Sequence, residues 1–223
     1  LFTRKYHSLT SPLQFPYALT ALPTLLAAEP IWPPVPESTH LAPYILDPTF
    51  HPSHTSTPTA FVQHITHLTT INSKTPALKA LQGFIWKRGY ASGELKCPLF
   101  TDVAPALRKW KNEGKKLMIY SSGSIAAQKL LFRHTEDGDL TGWLSDYFDT
   151  TTAGMKMERR SYEKIMASHA EVKKWTFFSD NVAEVGAAIE AGMRAVVVQR
   201  PGNADLTEEQ VEGLTVLKTF EGL

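Results

Sequence analysis

Lys116 to Ser124 read Lys-Leu-Met-Ile-Tyr-Ser-Ser-Gly-Ser, and this stretch decides the fold. An unbroken apolar run such as Leu117 to Tyr120 suits a strand buried on both faces, as in a parallel sheet. The Ser-Ser-Gly-Ser that follows suits a turn opening a helix. In open parallel sheets ligands bind outside the carboxyl ends of the strands, and free N–H groups at a helix start attract an anion. Ser121, Ser122, Gly123 and Ser124 therefore read as a candidate phosphate cradle, with Gly123 allowing close backbone approach. They read equally as a plain strand-to-helix turn with Ser124 as N-cap. The pattern matches neither the dinucleotide-binding glycine motif nor the P-loop.

Working outward, residues from Leu99 onward alternate between strand and helix patterns. Strands are expected at 116–120, 175–179 and 194–199, and helices at 103–113, 124–134, 161–169, 182–191 and 207–214. This rhythm predicts an α/β protein with a parallel sheet and helices on both faces. Upstream the character differs. Phe61, Ile65, Leu68, Leu78, Leu81, Ile85 and Trp86 recur at helical spacing. Residues 29–60 hold eight of the 15 prolines, which predicts an irregular connection with short helices at most. The sequence begins at Leu1, with Arg4 and Lys5 ahead of an apolar run over 15–28. That run outwardly resembles a signal peptide but reads better as an amphipathic helix broken by Pro23. No stretch reaches the ~18 apolar residues of a membrane span.

A chain of 223 residues can bury one core plus a small second unit. Its formal net charge of +1 gives no reason to expect a nucleic-acid or membrane partner. The single cysteine, Cys97, excludes an internal disulfide and a Cys-rich zinc site, and it fits a reducing compartment.

Three further residues carry candidate chemistry. Lys156, read alone, is a surface lysine; falling between the serine strand and the next expected strand, it is also placed where a cation could neutralise phosphate charge. Asp180 ends the strand pattern Trp175-Thr176-Phe177-Phe178-Ser179. A carboxylate there suits Mg²⁺, which takes one or two carboxylates and keeps several waters; it also suits an N-cap. Glu184 lies one helical turn on and could support either role. Two other patterns are discounted. Asp137-Gly138-Asp139-Leu140-Thr141 has the spacing of a phosphatase nucleophile motif, but it follows no buried strand and reads as a solvated turn. His64 and His67 share a helix face at i, i+3, yet no cysteine or other clear ligand accompanies them.

The sequence resembles the enolase-phosphatase (acireductone synthase) family of the haloacid dehalogenase superfamily. The likeness runs from Phe15 to the C-terminus. It is most specific in Leu78–Trp86, Val103–Trp110, Ile119–Phe132, Phe148–Lys156 and the Arg-Pro-Gly-Asn of Arg200–Asn203. It implies a Rossmann-like parallel core over 99–223 with an inserted helical cap over 15–98, and a divergent segment over 1–14. It implies Mg²⁺, a role in methionine salvage, and enolisation then dephosphorylation of 2,3-diketo-5-methylthiopentyl 1-phosphate to an acireductone. Residue by residue, Ser121, Ser122 and Lys156 match substrate-binding positions, and Asp180 matches a Mg²⁺ ligand. The resemblance implies this small phosphorylated diketone as partner and a place in the cytoplasm, and also in the nucleus; with no large exposed apolar stripe in the pattern, a monomer is expected.

One part of the family pattern is missing. The family opens with an apolar strand ending in Asp-x-Glu-Gly-Thr, whose Asp is nucleophile and metal ligand. Residues 1–14 here contain no Asp or Glu. No catalytic nucleophile is found, and the first central strand is expected to be absent, leaving a gap in the sheet that Leu1–Leu9 does not fill. Three readings follow: an enzyme whose motif is encoded upstream, a phosphate-binding or interaction protein that does not turn over, and a different enzyme on this scaffold. The coding DNA upstream of Leu1 separates the first from the others.

Overall fold

A computed structural model of the chain describes residues 14–29, 31–34, 40–71, 73 and 75–223. The expectation for Leu1–Leu9 lies outside these residues. The described residues divide into two compact units, one ending at Leu95 and the other beginning at Lys96.

The first unit is helical. It contains α1 (Gln14–Ala27), the single turn α2 (Ala42–Ile45), a 3-10 turn (Pro52–His54), α3 (Pro58–Thr70) and α4 (Pro76–Ser92). Helix α1 was expected to break at Pro23 but runs through it. The reason is its buried stripe, Ala18, Leu22 and Leu26, at helical spacing. Each buried leucine contributes about 1.5–3 kcal/mol, enough together to offset the ~3 kcal/mol cost of an internal proline. Helix α3 starts at a Thr57 N-cap with Pro58 as its first residue, and α4 ends at Gly93 in the left-handed conformation.

The second unit is α/β. Its elements are α5 (Val103–Asn112), β1 (Leu117–Tyr120), α6 (Ile125–Arg133), β2 (Leu144–Phe148), α7 (Arg159–Ser168), β3 (Thr176–Ser179), α8 (Val182–Glu190), β4 (Arg194–Val198), α9 (Glu208–Val211) and β5 (Val216–Leu217). The strands expected at 116–120, 175–179 and 194–199 are β1, β3 and β4. Strand β2 was not anticipated, because Ser145 and Asp146 interrupt its apolar pattern. Asp146 accepts from His169 Nε2 at 2.9 Å, which occupies its exposed carboxylate. Helix α9 is one turn, not the eight residues expected. Its capping box of Thr207 and Gln210 starts it, and the left-handed Gly213 (φ 72°) ends any continuation.

Every ladder is parallel. β1 pairs with β2, and β3 pairs with β4, which pairs with β5. Among the described residues β1 and β3 are not hydrogen-bonded to each other, so the sheet is in two pieces. The two apolar clusters lie on its two faces. Trp110, Leu107, Ile119, Val196 and Phe220 belong to one; Tyr162, Ile165, Phe148 and Val197 belong to the other. Asp102 and Arg200 form a buried ion pair at 2.7 Å. Asp102 also accepts from the Phe220 N–H at 2.6 Å, which ties the C-terminal segment to the start of α5.

Candidate active site

β1 delivers Ser121 to its carboxyl end. The Ser121 N–H donates to Phe148 O at 3.0 Å, which continues the β1–β2 ladder by one residue. The turn then closes on itself. Ser121 Oγ accepts from Gly123 N at 3.1 Å, and Ser124 caps α6 by accepting from Ala127 N at 3.3 Å. Gln128 Nε2 reaches back to Gly123 O at 2.8 Å and to Phe148 O at 2.9 Å. Ile125 N donates to Asp149 Oδ2 at 3.1 Å. Thus the N–H groups of Gly123, Ile125 and Ala127 are committed internally. Those of Ser122, Ser124 and Ala126 have no partner among the described residues. The alternation leaves a short row of donors that an anion could use.

The φ of Gly123 is not in the left-handed region, and an added Cβ would meet nothing nearer than Ser121 Oγ at 3.6 Å, so the chain conformation itself does not require glycine there. Gly154 does require it: its φ is 118°, and a Cβ would lie 2.6 Å from Ser161 Oγ.

Lys156 is drawn inward by its loop. Tyr162 O–H donates to Lys156 O at 2.6 Å, Ser161 Oγ donates to Met155 O at 2.7 Å, and Tyr120 O–H donates to Gly154 O at 2.7 Å. Burial, then the nearby Glu184 and Tyr120, push the Tyr162 phenol well above its ordinary value, so it stays a neutral donor. Lys156 is only 9% exposed. Its ammonium lies 2.6 Å from Glu184 Oε2 and 5.8 Å from the Tyr120 ring centroid. The same Glu184 oxygen accepts from Ser179 Oγ at 2.6 Å. Glu184 was expected only as support for a metal or a turn; it is the counter-ion of Lys156. Together Glu184, Ser179 and Lys156 join the carboxyl end of β3 to that of β1.

Asp180 follows Ser179 and is half-buried. Its Oδ2 accepts from Asn203 Nδ2 at 2.9 Å, and Asn203 Oδ1 accepts from Arg200 N at 2.6 Å. The N-cap of α8 is Asn181, not Asp180. Asp180 therefore keeps its second oxygen for another partner. A single carboxylate beside the strand end is of the type that could supply one ligand to Mg²⁺. Among the described residues no group of three or more His, Cys, Asp or Glu side chains gathers as a metal site.

Asn203, Ser179 and Asp149 were not singled out from sequence. Asp149 is buried and accepts from the N–H groups of Ile125, Thr151 and Thr152. Burial pushes its carboxyl up, but these donors outweigh that and hold it below the ordinary carboxylate value. It fastens the serine turn to the end of β2. The discounted patterns are also placed. Asp139 accepts from Thr141 N at 2.8 Å in an exposed turn. His64 stacks on His54 with ring centroids 3.8 Å apart.

Comparison with known proteins bears on this arrangement. No family model matches the chain. It is 50% identical over 226 residues to a protein of Chaetomium globosum named Enolase-phosphatase E1, covering 97% of this chain and 91% of that one. It is 46% identical over 229 residues to the protein of the same name from Botryotinia fuckeliana, covering 96% of this chain and 86% of that one. The crystal structure of the UTR4 protein of Saccharomyces cerevisiae superposes with a TM-score of 0.79 at 31% identity, covering 95% of this chain and 91% of the other. CbbY from Rhodobacter sphaeroides in complex with phosphate shares the fold, with a TM-score of 0.56 at 16% identity over 97% of this chain and 93% of that one.

Proposed function

This chain belongs to the enolase-phosphatase family, and from that premise we propose that it is a phosphoric monoester hydrolase of methionine salvage. The reaction is enolisation and dephosphorylation of 2,3-diketo-5-methylthiopentyl 1-phosphate to an acireductone. Relatedness of 45–50% identity over nearly the whole chain carries this reading. The link from Lys156 through Glu184 to Ser179 supports it.

In this proposal Ser121, Ser122 and the unpartnered amides at the start of α6 hold the phosphate. Lys156 neutralises its charge, and Glu184 keeps the ammonium aimed along the strand ends. Mg²⁺, when bound, would shield phosphate charge; Asp180 would supply one ligand and Asn203 would orient it. The helical unit, within 15–98, serves as the cap that selects the substrate chain. The setting is cytoplasmic or nuclear, and the protein acts as a monomer.

A second reading is a phosphate-binding protein: Ser121, Ser122 and Lys156 can hold an anion, whereas phosphoryl transfer through a covalent intermediate also needs an attacking carboxylate. The deciding experiment measures phosphate release from the diketo phosphate and from an aryl phosphate. It compares this chain with one carrying an apolar strand and Asp-x-Glu-Gly-Thr ahead of Phe15. Turnover is expected only from the second. Robust release by the first, abolished by Asp180→Ala, would mean that another residue attacks phosphorus. Failure of both would favour the binding protein.

A further inference from the structure

Four of the eight histidines gather in one place in the helical unit. His54 of the 3-10 turn stacks on His64 of α3, with ring centroids 3.8 Å apart and planes 15° apart. His51 meets the His54 ring edge-on at 5.8 Å. His67, one helical turn beyond His64, is close enough for its charge to act on it. Phe50 packs edge-on against His64 at 5.5 Å and against Phe61 at 5.7 Å. The histidine stack is thus part of what holds the 3-10 turn on α3, together with Phe50 and with Trp32 Nε1, which donates to Thr55 O at 3.0 Å.

Three features suit rings without charge. His51 Nδ1 accepts from Ser53 N at 3.3 Å and so carries no proton; a proton there would end the cap of the 3-10 turn. His54 Nδ1 is buried without a hydrogen-bond partner, and a proton placed on it would have no acceptor. His64 lies face to face with His54, and two imidazolium rings at that separation repel.

No acid offsets such charge. The titratable side chains of α3 are His64 and His67, and the 3-10 turn adds His54 after His51. Helix α1 offers only Tyr17, whose hydroxyl donates to Glu94. The turn α2 offers only Tyr44. Helix α4 offers Lys79, Lys87, Arg88 and Tyr90. The Asp47 carboxylate is taken by the N–H and hydroxyl of Thr49. Among the described residues the charges that act on His64 are those of His54 and His67, and neither Asp47 nor Glu29 is among them. Burial first, then these two histidines, hold the His64 ring below its ordinary 6.5. Stacked faces also do not aim their nitrogens at one point, and no metal-ligating group of three gathers here among the described residues.

We propose that His51, His54, His64 and His67 form an acid-released clasp. Neutral, it holds residues 50–57 against α3; protonated, it releases them. An imidazole held below its ordinary value contributes stability that is present above that value and lost as pH falls from it toward the folded value. The clasp is therefore closed at pH 7 and opens as pH falls below 6.5. This inference stands on the packing of the helical unit and not on the phosphatase reading, and its test reads local opening instead of turnover.

The test is amide exchange of the full chain, corrected for its intrinsic pH dependence. From pH 7 to pH 5, protection over residues 50–61 should fall about tenfold or more, while β1 and β4 keep theirs. A double variant, His54→Phe with His64→Phe, keeps two rings to stack but cannot charge them. Its protection over the same residues should change by less than about twofold. Proton NMR of the wild type decides the matter even where the double variant does not fold: the His64 ring should titrate below 6.5, in step with the loss of protection. Unchanged protection in the wild type, an equal fall in the double variant, a fall shared by the whole chain, or a His64 midpoint at or above 6.5 would each overturn the proposal.

Discussion

Lys156 Nζ lies 2.6 Å from Glu184 Oε2, in a setting where both side chains are almost wholly buried. The pair does two jobs. It makes an internal ammonium tolerable, and it ties the loop after β2 to the helix after β3. Burial without this partner would carry a desolvation penalty of several kcal/mol.

Breaking the pair should therefore cost more than removing it. Glu184→Leu is expected to lower stability by about 3–5 kcal/mol, because it leaves a buried cation unpaired. Adding Lys156→Met should recover most of that loss. Urea titrations of the wild type, both single variants and the double variant measure this directly. A double variant as unstable as Glu184→Leu would contradict the account.

Gly154→Ala should destabilise by about 1–3 kcal/mol from its left-handed backbone alone. The added Cβ would also lie 2.6 Å from Ser161 Oγ, and Ser161 starts the contacts that place Lys156. Pairing it with Ser161→Gly relieves the contact but not the φ. Partial recovery in thermal unfolding is thus the expected outcome.

Acid unfolding should depend on Asp102. Burial raises its carboxyl, but Arg200, the Phe220 N–H and Thr219 lower it more, leaving it below its ordinary value of 3.8. A depressed carboxyl contributes stability that is present above the unfolded value and lost as pH falls through the folded one. Asp102→Asn should therefore be less stable than wild type at pH 7. The gap should close as pH drops below the ordinary value. Asp149 titrates in the same window but is present in both proteins, so the comparison isolates Asp102.

Cys97 is fully buried, and burial, then Glu136, pushes its thiol up to about 12. A disulfide reagent at pH 8 should label it only as fast as the protein opens. Labelling should become immediate in denaturant. Fast labelling of the folded protein would mean that Cys97 is reachable.

The sequence by itself determined what depends on neighbours along the chain. Leu117–Tyr120, Thr176–Ser179 and Arg194–Val198 are strands because apolar runs end at turn-forming residues. Ser124 caps α6 because a hydroxyl three residues before a free N–H can accept from it. The resemblance carried by Ser121 to Ser124 identified the family for the same reason: the motif is contiguous.

Only the tertiary structure decided what depends on residues far apart. Strand β2 keeps its polar middle toward solvent, where Asp146 accepts from His169, 23 residues away. Asn203 holds Asp180 across another 23 residues. Glu184, read as a turn-cap or metal support, became a counter-ion because Ser179 and Lys156 reach the same oxygen. A gap in the sheet was expected from the missing family motif, but which strand edges would be unpaired among the described residues was not legible, since an apolar strand reads alike whether one or both of its edges are paired. Edge pairing is a property of the sheet, and the sheet exists only after distant segments have packed.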